Sequence, residues 1–589
     1  MRKTVSATRI VLFALLMPLI LVSVAKAQSN NTPQQNSTDD NPPSRVARLS
    51  FTKGNVSFLR TGVDQWSQAT PNFPVTTGDR IYTDKKARAE LEVGLYAVRL
   101  SESTDLTVTN LNDQIIQLGV QQGTVRVSVY ELASGDSLEV DTPNGALTFL
   151  KNGTFRVDVD PSGDFTNVSV NSGSVEVTAG TQSQTLQSGQ AAKLTGREAV
   201  DVLSVPLPRL DDFDKWSEER DKRISASASA RYVSRGTPGF EDLDENGEWE
   251  EVAEYGPVWY PSGVAVTWIP YRFGRWVWVG PWGWTWVEDE PWGFCPFHFG
   301  RWVHIGVRWG WLPGPYVIAP VYSPALVAFV GGPEFSVSVG VGVTSLTAWF
   351  PLGPDEPYFP WYHCREEYIR RVNITNIRNV TNITNVTNIT NISNVHYAYR
   401  NVATTAVPAS VFSNGQPVAH QAVHVTPQQL ERAQIVPHPA VNPNQRAALA
   451  GRPTAAPPVR VRPSIANSRN AVANRTVPDM PSVTRPATPA PNNRVQSMPN
   501  RILENSPRSV PPPLIRRSGP PPPHVPFTDQ RHAMHEHPGR PLEPQQLDNL
   551  RARRPVGPML DREFPPHLAP VPVRPPTATP PRPVRPHRP

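Results

Sequence analysis

"FGRWVWVGPWGWTWVEDEPWGFCPFHFGRWV", residues 273–303, carries seven tryptophans in thirty-one positions and repeats its opening FGRWV at its close. Trp276 and Trp278 stand two apart, as do Trp284 and Trp286, with Gly-Pro-Trp-Gly between the pairs. Side chains two apart share one face of a strand, so the stretch predicts a β-hairpin whose indoles meet across it. Twelve of the sixteen tryptophans lie between Trp249 and Trp311. Three cycles align there: YGPVWYP…VTWIP from Tyr255, FGRWVWV…WTWVE from Phe273 and FGRWVHI…GWLPG from Phe299. A hairpin of this size cannot bury its own face and must stack on its neighbours. Residues 232–315 are therefore read as a Trp-rich β-hairpin repeat module.

The rings admit two uses. Cross-strand aromatic pairs stabilise a sheet by roughly 0.2–1 kcal/mol each, and a buried indole removes on the order of 200 Å² from water. Twelve of them could form most of the core of a small domain. In the other reading Trp276, Trp278, Trp284, Trp286, Trp302, Trp309 and Trp311 are exposed binding contacts for a glycan, a peptide or the chain's own proline-rich tail.

Upstream, residues 45–196 show short alternating strands broken by Gly, Asn, Asp and Pro, the pattern of an all-β domain. In GTVRVSVYEL, Val125, Val127 and Val129 share one face while Arg126, Ser128 and Tyr130 share the other. Phe155, Val157 and Val159 align in the same way. The fold class is thus mainly β.

The ordered series GDRIYTDKKARAELEV, VRLSESTDLTV, LGVQQGTVRVSV, VDTPNGALTFLKNGTFRVDV, VSVNSGSVEV and LQSGQAAKL resembles FecR-like domains over roughly residues 46–196. It departs from their pattern at Val93-Gly94-Leu95, where an acidic residue and Gly are expected. The resemblance implies a compact extracytoplasmic β structure, a β-solenoid or roll. The best-known relatives relay an iron-transport signal to a cytoplasmic sigma factor through a membrane span, a role that requires a cytoplasmic helical segment; only the module is carried over here. The Trp-rich stretch also resembles an uncharacterised domain that often follows FecR-like domains in exported bacterial proteins, and that family brings no established activity.

The remaining segments frame these two. Residues 1–27 read as a secretory signal, with Arg2, Lys3 and Arg9 before or within the start of an apolar run and AKA before Gln28. Residues 28–44 read as a disordered lead-in, and 197–231 as a charged connector in which Leu210, Phe213 and Trp216 have helical spacing. Residues 316–372 form a Gly/Pro-rich apolar segment packed in part on the module. Residues 373–395 repeat Asn-(Ile/Val)-x every third position, a pattern suited to self-association through Asn ladders. Residues 396–589 read as a disordered tail: from Asn401 on there are 41 prolines, 23 arginines, no lysine and nine acidic residues. A net acidic body thus precedes a basic tail, whose charge suits anionic envelope polymers and implies no specific nucleic acid.

Cys295 and Cys364 are the only cysteines. Paired in an oxidising compartment they would close a loop of about 70 residues, worth roughly 4 kcal/mol; alternatively they lie too far apart to bridge. Asp242, Asp244, Asn246 and Gly247 begin like a calcium loop, but Ala253 stands at the bidentate position, so a turn joining two strands is expected. Glu288, Asp289 and Glu290 read as solvated hairpin charges, and Cys295, His298 and His304 lack a regular zinc spacing. No catalytic group, metal or cofactor is assigned. The sequence points to a non-enzymatic exported envelope protein, in the periplasm, at the surface or outside the cell, that binds or scaffolds a glycan or protein partner and has no membrane span in its mature chain. A sensor or regulator related to FecR-type transducers is the alternative, and a glycan-active enzyme the third reading.

Overall fold

The computed structural model describes residues 41–179, 182–197, 199–332, 335–339, 342–374, 395–458 and 522–553. The signal at 1–27, most of the lead-in and positions 375–394 of the triplet repeat lie outside them. The fold is mainly β. Among the described residues, seventeen strands between Ala47 and Val205 make two layers. In the first the spatial order is Phe73–Val75, Ala47–Lys53, Arg88–Val93, Tyr96–Leu100, the second half of Ile115–Val129, Gly153–Val159, Phe165–Ser172, Ala191–Thr195 and Asp201–Val205. The second runs from Ser67–Gln68 at its edge through Val56–Leu59, Arg80–Thr83 and Asp105–Leu111 to the first half of Ile115–Val129, then on to Gln182–Gln187. The fifteen-residue strand Ile115–Val129 therefore belongs to both layers. Only its pairing with Ser137–Thr142 is parallel among the described strands of this domain. The expected compact β structure takes the form of two mostly antiparallel sheets joined at a common strand.

Alternation explains the layering. Val125, Val127, Val129, Phe155, Val157 and Val159 all point between the sheets and are buried, as strands with one apolar face require. The outward positions carry Arg48, Glu90, Glu92, Arg99, Arg126 and Arg156. The last strand, Asp201–Val205, lies in what reads from sequence as connector; it pairs with Ala191–Thr195 because Val202 falls in register with Leu194.

Two of the three Trp cycles close as hairpins. Gly274–Val279 pairs with Gly283–Glu288, setting Trp276 opposite Trp286 and Trp278 opposite Trp284. Arg301–Ile305 pairs with Arg308–Leu312, setting Trp302 opposite Trp311. The first cycle does not close on itself. Its strand Gly256–Pro261 pairs with the preceding Gly247–Val252 and, at Trp259, with Trp311. The residues expected to return, around Trp268, form turns.

Part of the tail is ordered, contrary to the expectation of disorder over 396–589. Thr405–Pro408 pairs with Gly342–Pro351, and Gln434–Val436 with Val327–Gly331. These short strands find partners in the segment 316–372, so composition alone misjudged them. Residues 459–521 and 554–589 of the tail lie outside the described residues. Among the described residues no helix is long and apolar enough to cross a membrane. The end of the lead-in is anchored as well, with the Ser44 carbonyl accepting from the Tyr322 amide at 2.9 Å.

Candidate functional site

The outward face of the first sheet would expose a ladder of charges if nothing covered it. The connector covers it. Asp211 caps the helix Asp212–Ala226 by accepting from the amides of Phe213 and Asp214, which satisfies donors that a helix start leaves free. Phe213, Ser217 and Ile224 face the sheet and are buried; Leu210 precedes the cap and is exposed, outside the apolar stripe that the spacing suggested. Trp216 lies 5.3 Å from the Phe51 ring, and the Arg88 guanidinium sits over it.

The charges interlock. Asp214 receives Arg126 at 2.8 Å and Arg156 at 2.6 Å. Asp221 receives Arg99 at 2.7 Å and the Tyr130 hydroxyl at 2.7 Å. Glu90, fully buried, accepts from Arg99 at 2.5 Å and from the Arg220 Nε at 2.8 Å. Burial pushes the Glu90 carboxyl up, but Arg99 and Arg220 outweigh it and hold it down at about 2.

The seam continues into the Trp-rich module at Arg48. Its guanidinium donates to Asn72 Oδ1 at 2.9 Å, to Glu92 at 3.3 Å, to Asp242 at 2.5 Å and to the Pro291 carbonyl at 3.2 Å, and it lies over the Phe294 ring. One buried cation thus joins two strands of the sheet to Asp242 and Pro291 of the module. Gly239, at φ +84°, donates its amide to Glu92, and a Cβ there would stand 2.6 Å from Arg48 Nη1. Burial, reinforced by Glu92 and Asp242, holds the Glu241 carboxyl well above the carboxylate range. The segment that begins like a calcium loop is not a turn between strands. It is a short helical stretch, Phe240–Asp242 and Leu243–Asn246, in which Asp242 takes Arg48 and Arg223, and Asp244 accepts from the amides of Ala228 and Ser229.

All seven tryptophans named as exposed contacts are buried, Trp309 being the most accessible at 8%. They are core. Phe412, from the ordered part of the tail, packs on Trp276 and Trp284 with centroids at 5.3 and 4.5 Å, and Trp284 donates its indole N–H to the Val441 carbonyl at 3.0 Å. The platform reading needed one open face; the chain covers it with its own residues. Cys295 and Cys364 are both free. Burial pushes the Cys364 thiol up to about 12 and the Cys295 thiol well above its ordinary value, so neither is a thiolate at neutral pH. Burial lowers His298 to about 3, and its Nδ1 meets the Ser323 carbonyl at 2.8 Å; the His304 ring packs on Trp309.

Glu288 departs from the expectation of a solvated charge. It is 2% exposed, not solvated, and accepts the Trp286 indole N–H at 2.9 Å. Burial holds its carboxyl well above the usual range, so the folded chain keeps it protonated. Stability from that proton is complete below the ordinary carboxyl value and is lost as pH rises above it. Glu288→Gln keeps the acceptor and removes the titration. The variant is expected to gain about 1–2 kcal/mol over the parent at pH 8 and nothing at pH 4, read by chemical denaturation at both pH values; an equal gain at both would contradict a protonated Glu288.

Residues 79–176 match the family described as FecR protein, and residues 240–356 match a family of unknown function, DUF6600. The chain carries a FecR domain followed by a DUF6600 domain. Similar solved structures include two determinations of a candidate anti-sigma factor from Parabacteroides distasonis, 19% and 18% identical, each aligned over 22% of this chain and 59% of that one with a TM-score of 0.19. The chain therefore spans less than two thirds of that protein's length. No curated protein matches.

Proposed function

We propose that the chain is a non-enzymatic, exported regulatory protein of the bacterial envelope, in which the FecR domain receives a signal and the DUF6600 domain is its rigidly coupled companion. The observation that carries this reading is Arg48, a buried cation whose hydrogen bonds tie strands of the FecR domain to Asp242 and Pro291 of the DUF6600 domain. A change of geometry on one side alters the partners of a desolvated charge on the other, and such a change is energetically large. The FecR match supports the regulatory class. The scaffold reading with a glycan partner loses its main support, since the rings offered as its platform are buried.

Two experiments test the proposal. Amino-terminal sequencing of the mature protein is expected to begin at Gln28, and retention of Met1 would refute export by a cleaved signal. Deleting the gene in its source bacterium is expected to alter a limited set of transcripts, restored by the full chain. An unchanged transcript profile under envelope stress and iron limitation would remove the regulatory reading.

A further inference from the structure

The edge of the second sheet is not free. Ser67–Gln68 pairs on one side with Val56–Leu59, and on the other it receives a segment almost 400 residues downstream. The Gln68 amide donates to the Arg452 carbonyl at 2.8 Å, and the Thr454 amide donates to the Trp66 carbonyl at 2.9 Å. Pro453 stands opposite Ser67 between those two bonds. That position makes no ladder bond, so the missing N–H of proline costs nothing there. The Ala450 carbonyl is gripped from two sides, by the Thr70 hydroxyl of the first β domain at 2.5 Å and by the Arg275 guanidinium of the Trp hairpin. Gly451 passes so close that a Cβ would stand 2.5 Å from the Gln68 carbonyl oxygen.

These contacts read main chain and smallness at Gly451 and leave room for proline at Pro453; the Arg452 and Pro453 side chains are both exposed. The triplet recurs in the same tail as Gly539-Arg540-Pro541. That second copy also docks. The Gly539 amide donates to Asn442 Oδ1 at 3.0 Å, a Cβ on Gly539 would collide with the Pro439 carbonyl, and Pro541 lies beside Gly283 at the turn of the Trp hairpin. Two separate Gly-Arg-Pro triplets are thus held through glycine-dependent close approach.

We infer that the edge Trp66–Gln68, completed by Thr70 and Arg275, is a docking site for an extended Ala-Gly-Arg-Pro peptide, kept occupied in the resting protein by the chain's own Ala450–Thr454. The mode is strand addition, in which main-chain bonds supply affinity and a few small pockets supply selectivity. A partner presenting the same chemistry enters by displacing the strap, whose tether gives the internal copy the advantage of high effective concentration. This site stands independently of whether the FecR domain regulates transcription.

The full chain carries the test. Gly451→Val forces a branched side chain against Gln68, and Arg275→Ala releases the Ala450 carbonyl without altering the strap. Both variants are expected to exchange the Gln68 and Thr454 amide hydrogens at least tenfold faster than the parent, with the amides of Val125 and Val127 unchanged as a control for folding. A fluorescent synthetic peptide of residues 446–456 is expected to bind Gly451→Val at least tenfold more tightly than the parent, whose site is filled, and the same peptide carrying Val in place of its glycine is expected not to bind. The inference is overturned if Gln68 and Thr454 exchange at the parent rate in both variants, or if Gly451→Val frees the edge and the peptide still does not bind.

Discussion

Replacing Trp276 with Ala is expected to destabilise the chain by about 3–5 kcal/mol, the cost of emptying a large aromatic site that cannot collapse. Trp276 is 1% exposed and stands at the centre of a cluster, with the rings of Trp286, Phe329, Trp349, Trp361 and Phe412 at centroid separations from 5.3 to 6.3 Å. Those neighbours come from three parts of the chain: the partner strand of the hairpin, the segment 316–372 and the tail. Trp309, at the rim, is expected to cost less, about 1–2 kcal/mol for the same truncation, because more of its surroundings can relax. Thermal and denaturant unfolding of the two variants checks the order. An indole that served as an exposed ligand contact could be removed for less than about 0.5 kcal/mol, so a Trp276→Ala chain as stable as the parent would restore the platform reading.

Arg99→Ala is expected to cost about 3–5 kcal/mol at pH 7, since it deprives a fully buried carboxylate of one of two cations. Glu90 keeps Arg220, which places the expectation toward the lower end of that range. The pH dependence separates this cause from simple loss of packing. In the parent the Glu90 carboxyl sits at about 2, below its ordinary value. Its contribution is therefore complete above roughly pH 4.5 and is lost as pH falls toward 2. The gap between parent and variant should narrow progressively from pH 5 to pH 2.5. A gap that stays constant over that interval would mean that the guanidinium acts by volume and not by charge.

Much of the fold was legible because alternation is a strong signal. Val125, Val127 and Val129 occupy the inner face that their spacing dictates, and Trp276 meets Trp286 as the hairpin register requires. The first Trp cycle departs from the expected hairpin because Gly256–Pro261 has two candidate partners of similar pattern, and the upstream Gly247–Val252 wins the pairing. The tail strands Thr405–Pro408 and Gln434–Val436 carry three or four residues each, too few for any period to emerge from a proline-rich background. Their stability comes from partners more than fifty residues away, which local reading cannot supply.

The charged seam was hidden for a different reason. A charged connector normally reads as solvated, and Glu288 in an acidic turn reads the same way. The available clue was joint: Arg48, Glu90, Glu92, Arg99, Arg126 and Arg156 all occupy the nominally wet face of one sheet, and the following helix offers Asp214, Glu218, Arg220 and Asp221 at spacings that reach them. Opposite charges gathered on two surfaces linked by a short connection predict that the surfaces meet.

The strand Ile115–Val129, common to both layers of the FecR domain, has a mechanical consequence. The two layers draw hydrogen bonds from the two halves of one continuous piece of backbone, so a displacement of one layer is passed to the other through Ile115–Val129. Thermal breathing of the two layers should then be coupled, and a load applied along this strand would be shared by two sets of bonds.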